Sequence, residues 1–170
     1  SYCKFLLQSR IQFSQSYMED TLANNPALAG LIVALFFARF DPAVAGTPAA
    51  SRCVKKLRHQ FTEGLDAVVN LDEDRILRRF SNAIESTLRT NFFMTEDDGA
   101  LKTYASFKID SQFVEELPEP RPKKEVFVYS PRMEGCHLRG GDVARGGIRW
   151  SDRREDFRTE ILGLQKAQTV

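Results

Sequence analysis

Apolar residues recur at steps of three and four through the first half of the chain, then at alternate positions in the second. Between Ser51 and Val69, the residues Val54, Leu57, Phe61, Leu65 and Val68 fall on one face of a helix. Ile76, Leu77, Phe80, Ile84 and Leu88 repeat the pattern behind a cap at Asp72 or its neighbour. Upstream, "SQSYMEDTLANN" starts a helix capped by Ser14 or Ser16, and Pro26 opens an apolar helix from its first turn. That helix must end at "RFDP", because Pro42 drives Asp41 out of helical geometry. "AVAGTPAA" reads as loose chain. Stripes of this kind predict helices packed on helices.

Near Asn91 the period shifts to two. "TYASFKID", Thr103 to Asp110, alternates apolar and polar residues as a half-buried strand does. "LPEPRPKKE" is a proline-rich, charged, exposed connector and the expected domain boundary. "EVFVYSP", Glu125 to Pro131, is rich in β-formers and stopped by proline. Two Arg-Gly-Gly triplets follow, read as two cationic turns, and a helix starts near Asp152. Its cap is Ser151 or Asp152, Glu155 and Asp156 lie in its first turn, and Phe157, Ile161 and Leu164 form its buried stripe. The fold class expected is mixed α and β, with a helical N-terminal part before a strand, glycine segment and helix.

Composition narrows the function classes. Twenty-four basic and 23 acidic residues leave a net charge of +1, which gives no drive toward nucleic acid or an anionic membrane. "ALAGLIVALFFA", Ala27 to Ala38, is shorter than the roughly 20 residues of a spanning helix and reads as a core helix. Cys3, Cys53 and Cys136 match neither a disulfide framework nor a zinc spacing, so the cytoplasm is the expected setting. His59 and His137 are too far apart to suggest a metal site. The two ends read as cut from a larger protein. Arg149, Arg153, Arg154 and Arg158 alternate with Asp152, Glu155 and Asp156, which predicts salt-bridged helix faces. Trp150 is expected to anchor packing, and Arg139 with Asp142 to brace the first glycine turn.

Neither G-x-x-x-x-G-K-[ST] nor G-x-G-x-x-G occurs, so a nucleotide cradle is not supported. Two readings of "ARGGIR" stay open on physics alone. One is a purely structural turn. The other is a grip on a small anion, in which Arg145 offers a planar fork and Gly146-Gly147 bare backbone.

The stretch "EVFVYSPRMEGCHLRGGDVARGGIRWSDRREDFRTEILGLQKAQTV" closely resembles the start of the catalytic region in the bacterial large-subunit class of NAD-specific glutamate dehydrogenase. "FSQSYMEDTLANNPALAGLIVALFFARFDP", "LDEDRILRRF" and "TLRTNFF" resemble the segment just upstream in that family. The resemblance implies three regions: a helical upstream part at 1–93, a strand and proline-rich connector at 94–122, and the opening of the substrate domain at 123–170. It implies a parent enzyme that oxidises L-glutamate to 2-oxoglutarate and ammonium and passes a hydride to NAD. Arg145 would then meet the distal carboxylate of the substrate, bordered by Gly146 and Gly147, and Gln168 would touch the substrate. Smaller enzymes of the superfamily usually carry lysine at the position of Arg145, so charge is kept while reach differs. The lysine that holds the α-carboxylate, the general base and the NAD-binding fold would all lie beyond Val170. No residue of this chain is implied to be catalytic, to bind NAD or to hold a metal, and the piece alone is expected to be inactive. The parent is expected to form a homo-oligomer and to bind neither nucleic acid nor membrane. A non-catalytic helical module for regulation or oligomer assembly is the alternative.

Overall fold

In the computed structural model, residues 1–149 and 157–168 are described. Five helices come first: α1 (Tyr2–Gln8), α2 (Gln15–Asn24), α3 (Pro26–Phe40), α4 (Pro48–Leu65) and α5 (Leu71–Ser86). Local chemistry explains their starts. Ser14 Oγ accepts the Tyr17 N–H at 3.2 Å, and Pro26 stands at the first position of α3, both as the sequence predicts. The loose reading of "AVAGTPAA" is corrected at its end: Thr47 Oγ1 accepts the Ala50 N–H at 3.1 Å, and Pro48 opens α4. The cap of α5 is Asn70, whose Oδ1 accepts the Asp72 N–H at 2.9 Å. Asp72, Glu73 and Asp74 instead fill the first turn, where the positive end of the helix favours them.

Helix α5 stops one turn sooner than its apolar stripe suggests. At Thr87 the backbone becomes extended and enters β1 (Thr87–Thr90), so Leu88 leaves the helical face and is 44% exposed. The other strands are β2 (Ala105–Ile109), β3 (Lys124–Tyr129), β4 (Glu134–Arg139) and β5 (Ala144–Arg149). They make one antiparallel sheet in chain order, β1 to β5. The proline-rich stretch links two neighbouring strands of this sheet, and its Leu117 and Pro122 are buried.

One face of the sheet is covered by helices. Register places Phe107 opposite Phe127, which lies opposite Cys136, and these side chains point to the same face. Phe127 meets Phe5 of α1 at 5.7 Å between ring centroids, and Tyr2 meets Phe107 at 4.5 Å. Met18, Ile76, Leu77, Phe80 and Ile84 join this core from α2 and α5, as do Leu35 and Phe36 from α3 and Phe61 and Leu65 from α4. A second, smaller cluster joins Cys136 and Leu138 to Phe157, Ile161 and Leu162 of α6 (Phe157–Lys166). Among the described residues no single helix is long and apolar enough to cross a membrane. Helices α2 and α3 reach that length only as a pair bent by 101°.

Candidate functional site

The two Arg-Gly-Gly triplets have different fates, which corrects the expectation of two turns. Gly140-Gly141 does make the turn between β4 and β5, with Gly141 at φ +110° and the Gly140 N–H on the Val143 carbonyl at 3.0 Å. Arg139 braces it by donating to the Gly141 carbonyl at 3.3 Å, in place of the expected pairing with Asp142. Arg145-Gly146-Gly147 lies inside β5, the last strand in the sheet order. Glycine is a poor strand former, so packing has to compensate. A Cβ on Gly147 would stand 3.1 Å from Ile161 Cδ1 and 3.5 Å from Phe157 Cζ; its absence lets α6 lie directly on the strand. On the opposite face, a Cβ on Gly146 would stand 3.0 Å from the Cys136 carbonyl oxygen.

Contacts along α6 fix its direction. Phe157 and Ile161 lie over Gly147, while Gln165 lies against Gly140. The helix therefore runs back along β5 toward the glycine turn, and brings its C-terminal end to the end of β5 that carries Arg145. Register sets Arg145 opposite Leu138, on the sheet face that α6 covers. Arg145 is half-buried and makes no hydrogen bond or ion pair among the described residues. Gln168 is exposed just past the last residue of α6, its N–H on the Gln165 carbonyl at 3.2 Å. The expected stripe of α6 is amended: Phe157 and Ile161 are buried with Leu162, whereas Leu164 is 57% exposed. The expected caps Ser151 and Asp152, and Trp150, Arg153, Arg154, Glu155 and Asp156, fall outside the described residues.

What anchors α6 is a buried ion pair between Glu125 of β3 and Arg158, a residue expected on a salt-bridged helix face. Arg158 is 3% exposed and Glu125 of β3 is 1% exposed. Arg158 Nε and Nη2 donate to the two carboxylate oxygens of Glu125 at 3.2 and 2.7 Å. Ser111 Oγ donates to Glu125 at 2.8 Å, and the Arg158 N–H donates to Gln8 Oε1 of α1 at 3.1 Å. Burial alone would depress the Arg158 guanidinium, but the facing Glu125 outweighs it and holds it above its ordinary value. The signal was present: Arg158 precedes Ile161 and Leu162 by one helical turn, and Glu125 alternates with Phe127 on the inward face of its strand. Nearby, burial pushes the Cys136 thiol up to about 12, with the Glu125 charge adding to the shift, so it is no nucleophile. Among the described residues no group of three or more His, Cys, Asp or Glu is placed to hold a metal ion.

Among the described residues, the arrangement is a half-buried cation without an ion-pair partner on a sheet border, beside a helix held by a buried ion pair. The family described as bacterial NAD-glutamate dehydrogenase, catalytic domain, matches residues 60–170, and glutamate dehydrogenase, helical motif 3, matches residues 1–42. The chain is 50% identical to the NAD-specific glutamate dehydrogenase of Mycobacterium tuberculosis and 49% identical to that of Pseudomonas aeruginosa, in each case over its whole length. It is 28% identical to the protein of that name in Neurospora crassa over 81% of its length. The chain spans about a tenth of the length of these curated relatives, 10%, 11% and 13% respectively.

Proposed function

We propose, from the premise that this chain belongs to the bacterial NAD-glutamate dehydrogenase family, that its parent protein oxidises L-glutamate to 2-oxoglutarate and ammonium with hydride transfer to NAD. Within that parent, the β4–β5–α6 unit forms one side of the glutamate pocket. The observation that carries this reading is Arg145, a half-buried cation with no partner among the described residues, at the strand end toward which α6 runs. A charge withdrawn from water without an internal partner is placed to receive an anion.

Glutamate carries two carboxylates, so recognition calls for two cationic points at a fixed separation. Arg145 receives the distal carboxylate through its planar fork. Gly146 and Gly147 border the substrate, and the bare Gly147 lets α6 press on the strand. Gln168, just beyond α6, touches the substrate from the helix side. The lysine for the α-carboxylate and the general base belong to parts of the parent outside this chain. NAD supplies the acceptor for the hydride. Its pyrophosphate needs glycines between a strand and a helix N-terminus, whereas Gly140-Gly141 joins two strands, so NAD contacts are assigned elsewhere in the parent. The residues here bind and orient; by themselves they are inactive.

A second role is proposed for the helical layer. Val33, Phe37 and Phe92 are 55%, 42% and 49% exposed, and Phe37 and Phe92 stand edge to face at 6.2 Å; they support a role in homo-oligomer assembly of the parent. A cytoplasmic setting completes the proposal, supported by three free thiols.

The deciding experiment is steady-state kinetics of the full-length protein and its Arg145→Ala variant. The Michaelis constant for glutamate is expected to rise tenfold or more while that for NAD stays near its starting value. An unchanged glutamate constant removes Arg145 from the pocket.

A further inference from the structure

A group of arginines converges where the end of α1, α5 and the proline-rich connector meet, around a cavity of about 490 Å³. It is lined by Arg10 after α1, Arg75 and Arg79 of α5, Glu116 of the connector, and Gln12. This volume lies within the range of small-molecule sites. Three guanidinium groups face one carboxylate, a surplus of two positive charges. The next acidic groups that act on these arginines are Asp72 and Glu115.

The partners within the cluster are unevenly shared. Arg75 holds Glu116 Oε2 at 2.7 Å, and Arg79 Nη1 lies 3.6 Å from the same oxygen. Arg79 is 2% exposed and donates Nη1 to the Glu115 carbonyl, yet its buried Nε has no hydrogen-bond partner among the described residues. Burial depresses this guanidinium below its ordinary value, against the pull of Glu116 and Glu115. Arg10 makes no side-chain hydrogen bond or ion pair among the described residues. A buried donor without an acceptor is rare in folded proteins and calls for an explanation. Arg10 and Glu116 both adopt left-handed backbone, at φ +62° and +54°, so two non-glycine residues are held in uncommon geometry at the rim.

We propose that this cavity is a binding site for a compact dianion, a dicarboxylate or a phosphate group, gripped by Arg10, Arg75 and Arg79. Glu116 acts as the internal stand-in for the ligand and keeps Arg75 and Arg79 close together when the site is empty. The site is separate from the one proposed for glutamate, and neither proposal rests on the other. It gives the helical layer a ligand of its own.

The test is isothermal titration of the full-length protein at low ionic strength, with inorganic phosphate and succinate as separate probes. Binding is expected to weaken about tenfold or more in Arg10→Gln, an exposed position whose substitution removes one charge-assisted contact. It is expected to tighten in Glu116→Gln, which removes the competing carboxylate. Arg52→Gln, an exposed site on α4, controls for bulk charge and should leave affinity unchanged. Repeating the succinate titration in Arg145→Ala separates this site from the glutamate pocket, because binding here should persist. Phosphate binding alone, or succinate binding alone, assigns the ligand to that source. The proposal is overturned if neither probe binds, if Arg10→Gln leaves both affinities unchanged, or if Arg52→Gln weakens them as much.

Discussion

Replacing Glu125 with glutamine keeps the volume of the side chain and removes the charge that Arg158 faces. Both residues are almost fully buried, and Arg158 makes two hydrogen bonds to the carboxylate, at 3.2 and 2.7 Å. Ser111 can still donate to the glutamine oxygen, so the loss falls on the guanidinium. Breaking a buried pair by removing one partner costs about 3–5 kcal/mol, mostly because the remaining charge is left without compensation. Arg158 sits in the first turn of α6, so that cost acts on the docking of the helix against β3 and α1. The assay is hydrogen exchange with peptide-level mass spectrometry across residues 157–168 of the full-length protein. A loss of about 3 kcal/mol corresponds to exchange roughly a hundredfold faster in α6. The double variant Glu125→Leu with Arg158→Met supplies the counter-check. Apolar replacement of both partners is often neutral or better, so protection should largely return. Should Glu125→Gln leave exchange in α6 within a few-fold of the starting protein, the pair does not hold the helix and the reasoning fails.

Gly147→Ala places a methyl 3.1 Å from Ile161 Cδ1, and such overpacking is expected to cost about 1–3 kcal/mol, read as faster exchange in both β5 and α6. Asn70→Ala removes the acceptor that serves the Asp72 N–H, and should destabilise the start of α5 by about 0.5–2 kcal/mol, read as faster exchange in its first turn. Cys136, buried and raised to about 12, should resist alkylation at pH 8 while exposed Cys53 reacts, as mapped by mass spectrometry. Its folded value lies above the unfolded 9.0, so its contribution to stability is intact below about pH 9 and is lost as pH rises toward 12.

The helices were legible because each carries its own period and punctuation. Pro26 and Pro42 bracket α3, and the stripe of α5 needs no partner to be recognised. Strand β2 was legible by its alternation of apolar and polar residues, and β3 by its Val, Phe and Tyr. By contrast β4, "EGCHLR", and β5, "ARGGIR", hold few β-forming residues, and what makes them strands is pairing and the helix laid over them. The period of α5 continued through Leu88, yet the pairing of Thr87 with Ile109 claimed the chain for the sheet. Arg158 was misjudged because its partner is distant in sequence: a charged residue reads as surface until Glu125 is known to face it. In the proposed glutamate site, Arg145 was legible by residue type, while its lack of a partner among the described residues emerged only from the fold.

The shared interior of α1 and the sheet has a practical consequence for dissecting the parent protein. Phe5 and Leu6 are wholly buried, and Phe107 and Phe127 are nearly so, in the same cluster. A protease cut or cloning boundary that separates residues 1–8 from the rest would uncover those aromatic rings and strip Arg158 of the Gln8 acceptor. Losing α1 would thus be felt at α6, about 150 residues along the chain.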